Sequence, residues 1–241
     1  GQPWHAALHN LLARPLGLAQ TAYYTDEAVV PGGVVGYSQD DRGAVIHAPY
    51  VSISGPGAAG ALASTVDDLF HWMRALATGR ALPLRLYETM SSAKATAAGA
   101  PVPYGYGLML GTVRGEPVVE HNGGTEGFAS QLTYFPKQHV TVVVLANTDA
   151  RSPSPRSLAR RLGALAIGRP YIELHPLKPD DRHRQELCGT YRIDATAKRT
   201  ISIEDGTLLV QREGGPKRPL TMAQGDRLFF PHDDTDYFQI I

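Results

Sequence analysis

The stretch Glu120-His121-Asn122-Gly123-Gly124-Thr125-Glu126-Gly127-Phe128 concentrates the groups in this chain that could do chemistry. The His121 imidazole can donate a hydrogen bond, or a charge, to a substrate carboxylate or carbonyl. Gly123 and Gly124 let a substrate approach the backbone, so a main-chain N–H can point at a developing oxyanion. The same residues also describe a Gly-rich hairpin in which the histidine is incidental. On the residues alone both readings stand.

Three other patterns suggest chemistry. Ser91-x-x-Lys94 matches the nucleophile pair of serine acyl-enzymes. That chemistry needs the serine at a helix N-terminus with the lysine one turn on, whereas this tetrapeptide falls at the end of an expected helix. It is read as coincidence. Gly55-x-Gly57-x-x-Gly60 matches a dinucleotide fingerprint, but there the glycines open the helix and its N-terminus holds the pyrophosphate. Here the capping residues Ser64 and Thr65 set the helix start several residues later, so loop glycines are the better reading. His5 and His9 have a metal-ligand spacing, but Ala6 stands where HExxH needs Glu. No metal and no cofactor are assigned.

The elements that must position these residues follow from periodicity and punctuation. Apolar spacing predicts a helix over residues 5–13, broken by Pro15 and Gly17. Residues 23–60 read as loop. Ser64-Thr65-Val66-Asp67-Asp68 reads as a capped helix start, with Leu69, Phe70, Met73, Leu76 and Ala77 as its apolar face. A second helix is expected from Pro83 to Met90, then a small-residue linker over Ala93–Ala100. Strands are expected at Tyr106–Val113, Pro117–Glu120, Phe128–Phe135 and Val140–Ala146, the last buried on both faces. A helix over Pro153–Ile167, with Leu158, Leu162 and Leu165 on one side, closes the region. The Pro-rich stretch 170–181 is the expected linker. Residues 182–241 read as all strand, in runs Cys188–Ile193, Thr200–Glu204, Thr207–Arg212, Arg218–Met222, Arg227–Pro231 and Tyr237–Ile241. Asp205-Gly206 marks a hairpin.

Composition narrows the class. The 241 residues are 43% hydrophobic and 19% charged, which fits a folded protein. The formal net charge is zero, which argues against a general nucleic-acid binder. No apolar run approaches the roughly 18–20 residues a membrane-spanning helix needs. The single cysteine, Cys188, excludes an internal disulfide framework within these residues and a multi-cysteine metal site.

The order of several segments carries a resemblance. Arg14-Pro15-Leu16-Gly17-Leu18, with Thr21 and Tyr23, resembles the PLG turn of the serine β-lactamase and penicillin-binding protein family. The branch is that of class C β-lactamases with their DD-peptidase, D-aminopeptidase and esterase relatives. Gly57-Ala58-Ala59-Gly60-Ala61-Leu62-Ala63-Ser64-Thr65-x-x-Asp68-Leu69, with Trp72, resembles a second family segment. Tyr104-Gly105-Tyr106-Gly107-Leu108 is similar to its YGYGW strand start. His121-Asn122-Gly123-Gly124 falls where the family keeps its third motif, Lys/His-Thr/Ser-Gly, and Gly127-Phe128-Ala129-Ser130 resembles the continuation. Runs within 182–241 resemble a lipocalin-like extension found in some members.

The resemblance implies an α+β fold. Residues 1–169 would be the C-terminal portion of the hydrolase domain, an antiparallel sheet flanked by helices, and 182–241 a small antiparallel β-barrel-like domain. It implies acyl transfer from a small-molecule or peptide substrate to a serine, helped by a lysine and a tyrosine. His121 would be catalytic at the third motif, the N–H of Gly124 one arm of the oxyanion hole, and Asn122, Gly123 and Thr125 substrate contacts. Such an arm is worth roughly 3 kcal/mol in the transition state. Asn122 lacks the hydroxyl of the family's Thr/Ser, which leaves esterase or peptidase chemistry open beside β-lactams. The nucleophile and Tyr-x-Asn motifs lie upstream of the PLG turn in the family, and no Tyr-x-Asn or Ser-x-Asn occurs here. A missing N-terminal half is therefore expected as partner, with a periplasmic or exported location. The rival is a non-catalytic member that binds or regulates.

Overall fold

The computed structural model describes residues 1–95, 99, 101–150, 153–178, 180–193, 197–231 and 233–239. The chain divides into two compact units, Gly1–Pro170 and Tyr171–Ile241.

The first unit opens with α1 (Trp4–Leu8), a π-helical turn (His9–Ala13) and α2 (Arg14–Leu16). Pro15 does not break this run as expected. The π-turn ahead of it bonds over five residues, so a position without an N–H is absorbed there. Gly17 ends the helix instead, at φ 74°. Within the expected loop, β1 (Tyr37–Gln39) and β2 (Val45–His47) form a short antiparallel pair.

Next comes α3 (Val66–Ala77). Thr65 caps it, accepting from the Asp68 N–H at 3.3 Å. Met73, Ala75 and Leu76 are buried, while Phe70 faces outward under the Arg74 guanidinium. Asp68 accepts from the Gln20 N–H and the Thr21 hydroxyl, both at 2.8 Å. Thr21 also meets the Ser64 hydroxyl at 2.8 Å. The PLG turn and the Ser-Thr-x-x-Asp segment are thus tied together as scaffold. α4 (Leu84–Met90) follows, then a two-residue pair, β3 (Lys94–Ala95) with β4 (Pro101–Val102). Half of the expected small-residue linker, residues 96–98 and 100, lies outside the described residues.

The centre is an antiparallel sheet in chain order: β5 (Met109–Val113), β6 (Glu116–Thr125), β7 (Phe128–Phe135) and β8 (Val140–Ala146). Val119, Tyr134 and Leu108 pack with Met73, Leu76 and Tyr87 of α3 and α4. α5 (Pro155–Ala166) packs on β7 and β8. Its buried face is Ala159, Arg160, Gly163 and Ala164, whereas Leu162 and Leu165 are exposed. This reverses the expected leucine face. Phe135 is fully buried beneath Gly163, where a Cβ would come within 2.5 Å of its ring. Only small residues allow that approach. β8 is the last strand of its sheet and is half-buried rather than buried on both faces.

The second unit holds two four-stranded antiparallel sheets. In chain order its elements are β9 (Pro176–Leu177), α6 (Asp181–Glu186), β10 (Gly189–Arg192), β11 (Lys198–Glu204), β12 (Thr207–Arg212), β13 (Lys217–Pro219), β14 (Thr221–Ala223), β15 (Arg227–Phe230) and β16 (Asp233–Gln239). One sheet runs β10-β11-β12-β13 and the other β9-β14-β15-β16. Leu220 alone separates β13 from β14. Leu187, Ile201, Leu208, Val210, Leu220, Met222 and Leu228 form the core. Asp205 and Gly206 take φ 48° and 73°, the hairpin turn their types require. Two features differ from expectation. Part of the expected linker is strand β9, paired with β14. Residues 181–186 are helical, because Asp180 caps the His183 N–H at 2.7 Å and Arg182 pairs with Glu186. Among the described residues the sheets do not close into a barrel. Ile240 and Ile241 lie outside the described residues.

Candidate active site

The motif His121-Asn122-Gly123-Gly124-Thr125 lies inside one ten-residue strand, β6, and not between two strands as expected. Glycine weakens strand propensity, which hid the continuity. What holds the segment is its pairing with β7, which runs unbroken from Val119↔Tyr134 to Thr125↔Phe128. β5 is half as long and reaches only Glu120, opposite Met109. Among the described residues, 121–125 therefore present a sheet edge with no strand beside it.

Which backbone groups face that edge follows from the turns. Two-residue turns, Arg114-Gly115 and Glu126-Gly127, close the hairpins on either side of β6. The pair flanking such a turn exchanges hydrogen bonds, and bonded pairs alternate along the ladder. Glu116, Val118 and Glu120 bond toward β5; His121, Gly123 and Thr125 bond toward β7. Asn122 and Gly124 are left pointing their N–H and C=O groups at the open edge. A Cβ on Gly124 would meet only the Phe128 carbonyl, at 3.9 Å. A Cβ on Gly123 would sit 2.6 Å from the Ser130 hydroxyl, so that glycine serves packing.

His121 reaches two partners. Its Nδ1 lies 2.7 Å from the Asn122 carbonyl oxygen and its Nε2 lies 2.9 Å from the Tyr104 hydroxyl. Tyr104 was not among the residues expected at the site. Its signal was present, in the Tyr104-Gly105-Tyr106-Gly107 run, but that run reads as a strand start. The Thr125 hydroxyl donates to the Glu126 carboxylate at 3.0 Å. The structure thus brings His121, Asn122, Gly124 and Tyr104 to one edge. Gly123 and Thr125 are occupied within their own hairpin.

Two carboxylates hold the strand. Glu120, 3% exposed, lies on the face opposite His121. It accepts from Gln131 Nε2 at 3.0 Å and from the Thr133 hydroxyl at 3.2 Å, with Arg160 of α5 at 3.9 Å. Asp149 holds the hairpin tip, accepting from the Ser38 hydroxyl at 2.6 Å and the Gly127 N–H at 2.9 Å. Those two bonds, the hydroxyl's first, draw its carboxyl below the usual aspartate range. A depressed carboxyl stabilises above its unfolded-state pKa and loses that effect as pH falls through the folded one. Protection of the Gly127 amide against hydrogen exchange is expected to collapse in that acid window. Asp149→Asn should show the lowered protection already at neutral pH. Equal protection in both proteins at neutral pH would show that Asp149 does not hold the tip.

The other candidate patterns resolve as scaffold. Ser91 caps the C-terminus of α4 and donates to the Tyr87 carbonyl at 2.8 Å. Lys94 donates to the Thr89 carbonyl and the Ser92 hydroxyl, so the Ser91/Lys94 pair does not form. Gly57–Ala59 is a single 3-10 turn, and α3 starts at Val66. His5 stacks on Tyr23 with ring centroids 4.9 Å apart.

The sequence profile of the beta-lactamase family matches residues 1–167. A D-aminopeptidase of Gluconobacter oxydans (strain 621H) is 26% identical over 199 residues, covering 79% of this chain and 35% of that protein. The chain thus spans about a third of the length of this curated relative. The octameric penicillin-binding protein homologue from Pyrococcus abyssi superposes with a TM-score of 0.61 over 97% of this chain and 57% of its own, at 19% identity. That likeness shows the α+β fold. A D-stereospecific amidohydrolase from Streptomyces sp. superposes with a TM-score of 0.54 at 28% identity, over 62% of this chain and 45% of its own. No helix among the described residues is long and apolar enough to cross a membrane. Matched along residues 1–167, the chain belongs to the beta-lactamase family.

Proposed function

We propose that this chain carries the third-motif strand and one oxyanion arm of a serine acyl hydrolase, and that a preceding segment of the same polypeptide supplies the serine, lysine and tyrosine. The observation that carries this reading is the N–H of Gly124 at an open sheet edge, three residues on from His121, whose ring meets the Asn122 carbonyl and the Tyr104 hydroxyl. In the reaction the serine oxygen attacks a substrate carbonyl. Negative charge gathers on the carbonyl oxygen, where a preorganised backbone donor stabilises it more than in the ground state. The leaving group departs protonated, and water hydrolyses the acyl-enzyme. Asn122 and Gly124 meet the substrate along the edge, with His121 beside them.

The relatives' activities, a D-aminopeptidase and a D-stereospecific amidohydrolase, favour an amide or peptide substrate. Asn122, without the hydroxyl of the usual motif, fits an enzyme that does not select a β-lactam carboxylate. An exported or periplasmic location accompanies this reading.

Intact mass after treatment with a fluorophosphonate tests the proposal. The 26.0 kDa chain is expected to take no adduct, and the longer polypeptide one. No adduct on the longer polypeptide would favour a non-catalytic binding protein. An adduct on the 26.0 kDa species would place the nucleophile inside these residues, with Ser91 the first to replace.

A further inference from the structure

The surroundings of His121 determine which of its nitrogens carries hydrogen. Its Nδ1 is 2.7 Å from the Asn122 carbonyl oxygen. A carbonyl only accepts, so Nδ1 is the donor. In the neutral ring Nε2 is then a bare acceptor. The Tyr104 oxygen stands 2.9 Å from it, so the phenol donates to Nε2. The two rings meet edge-on, with centroids 5.8 Å apart and planes at 70°.

Both partners are delivered by fixed backbone. The Asn122 carbonyl belongs to β6, which pairs with β7 along the whole motif. Tyr104 bridges to Met109 at the start of β5. Gly105, next to it, donates to the Leu108 carbonyl at 2.7 Å, and a Cβ there would overlap the Met90 carbonyl. Tyr106 donates to that same Met90 carbonyl at 3.0 Å. The segment carrying the phenol is therefore clamped between the end of α4 and the edge of β5.

We propose that Tyr104 is a positioning residue for His121: its hydroxyl and the Asn122 carbonyl fix the neutral ring as the Nδ1–H tautomer, leaving the phenol as the hydrogen-bond donor this corner offers. This rests on the reading of the β6 edge as the substrate edge. It differs from the sequence expectation that the imidazole itself donates. A substrate oxygen arriving here competes with Nε2 for one phenolic hydrogen. The group suited to that exchange is an acceptor with no hydrogen of its own, such as an amide carbonyl. An ammonium group finds no free ring nitrogen until the phenol turns away.

The test is imidazole ¹⁵N NMR of the chain, with the His121 signal assigned through His121→Gln. The expected result is a single Nδ1–H tautomer whose Nε2 resonance shows an accepted hydrogen bond. In Tyr104→Phe the accepted hydrogen bond at Nε2 is lost, while the Asn122 carbonyl keeps the hydrogen on Nδ1. An Nε2–H tautomer in the unaltered chain, or an Nε2 resonance that Tyr104→Phe leaves in place, overturns the proposal. In the longer polypeptide, Tyr104→Phe is expected to lower kcat about tenfold, the worth of one ordinary hydrogen bond, with KM little changed. An unchanged kcat would also overturn it. A longer polypeptide that takes no fluorophosphonate defeats the hydrolase reading instead, and the tautomer result stands apart from that.

Discussion

Gly124→Pro is expected to leave the sheet folded and to lower kcat of the nucleophile-bearing polypeptide about 100- to 1000-fold. Proline removes one N–H and nothing else that the ladder needs. The Gly124 N–H points to the open side of β6, where proline is tolerated because no ladder bond is lost. A Cβ at this position is accommodated, its nearest neighbour being the Phe128 carbonyl oxygen at 3.9 Å. The thermal midpoint should therefore move little while the chemical step slows. Gly124→Ala is the control, because it keeps the amide. If alanine costs as much as proline, the glycine matters for backbone freedom and the oxyanion role fails. If neither variant slows the reaction, a different donor holds the oxyanion.

The largest expected effect on stability is Phe135→Ala, at about 3–5 kcal/mol of the first unit's stability. For a unit of this size that lowers the thermal midpoint by roughly 10 °C or more. Phe135 is fully buried and lies against Gly163, with Val142 also beside that glycine. A glycine cannot swing a side chain into the space left behind, so the cavity persists. Denaturant unfolding of the two proteins measures the difference. A loss below about 1 kcal/mol would show that α5 settles onto the sheet and fills the void.

How much of this was legible in the residues varies with the range of the interaction involved. Local signals read well. The Thr65 cap, the Asp205-Gly206 turn and the alternating strand at Phe128–Phe135 all lie where spacing and turn chemistry put them. The His-Asn-Gly-Gly segment stood out by its residue types, but its place in the middle of a strand was not legible. Its conformation is set by β7 across the ladder, and not by its own propensities. Tyr104 escaped because its contact to His121 spans 17 residues and depends on the clamp at Gly105. The buried Glu120 cluster escaped for the same reason, since Gln131, Thr133 and Arg160 come from two other elements. On α5 the apolar period was real, but the ring of Phe135 took the space, so small residues and not leucines face the sheet.

The two-residue turns at either end of β6 have a bearing on how such a site can change over time. They set the parity of the strand, and parity decides that residues 122 and 124 look outward. A one-residue insertion in either hairpin would slip the pairing and exchange every inward group for an outward one. Side chains along the edge can be traded one at a time at little cost to the frame. Length cannot be traded that way: only paired insertions or deletions keep the same amide at the edge. This hairpin is thus open to drift in composition and closed to drift in count.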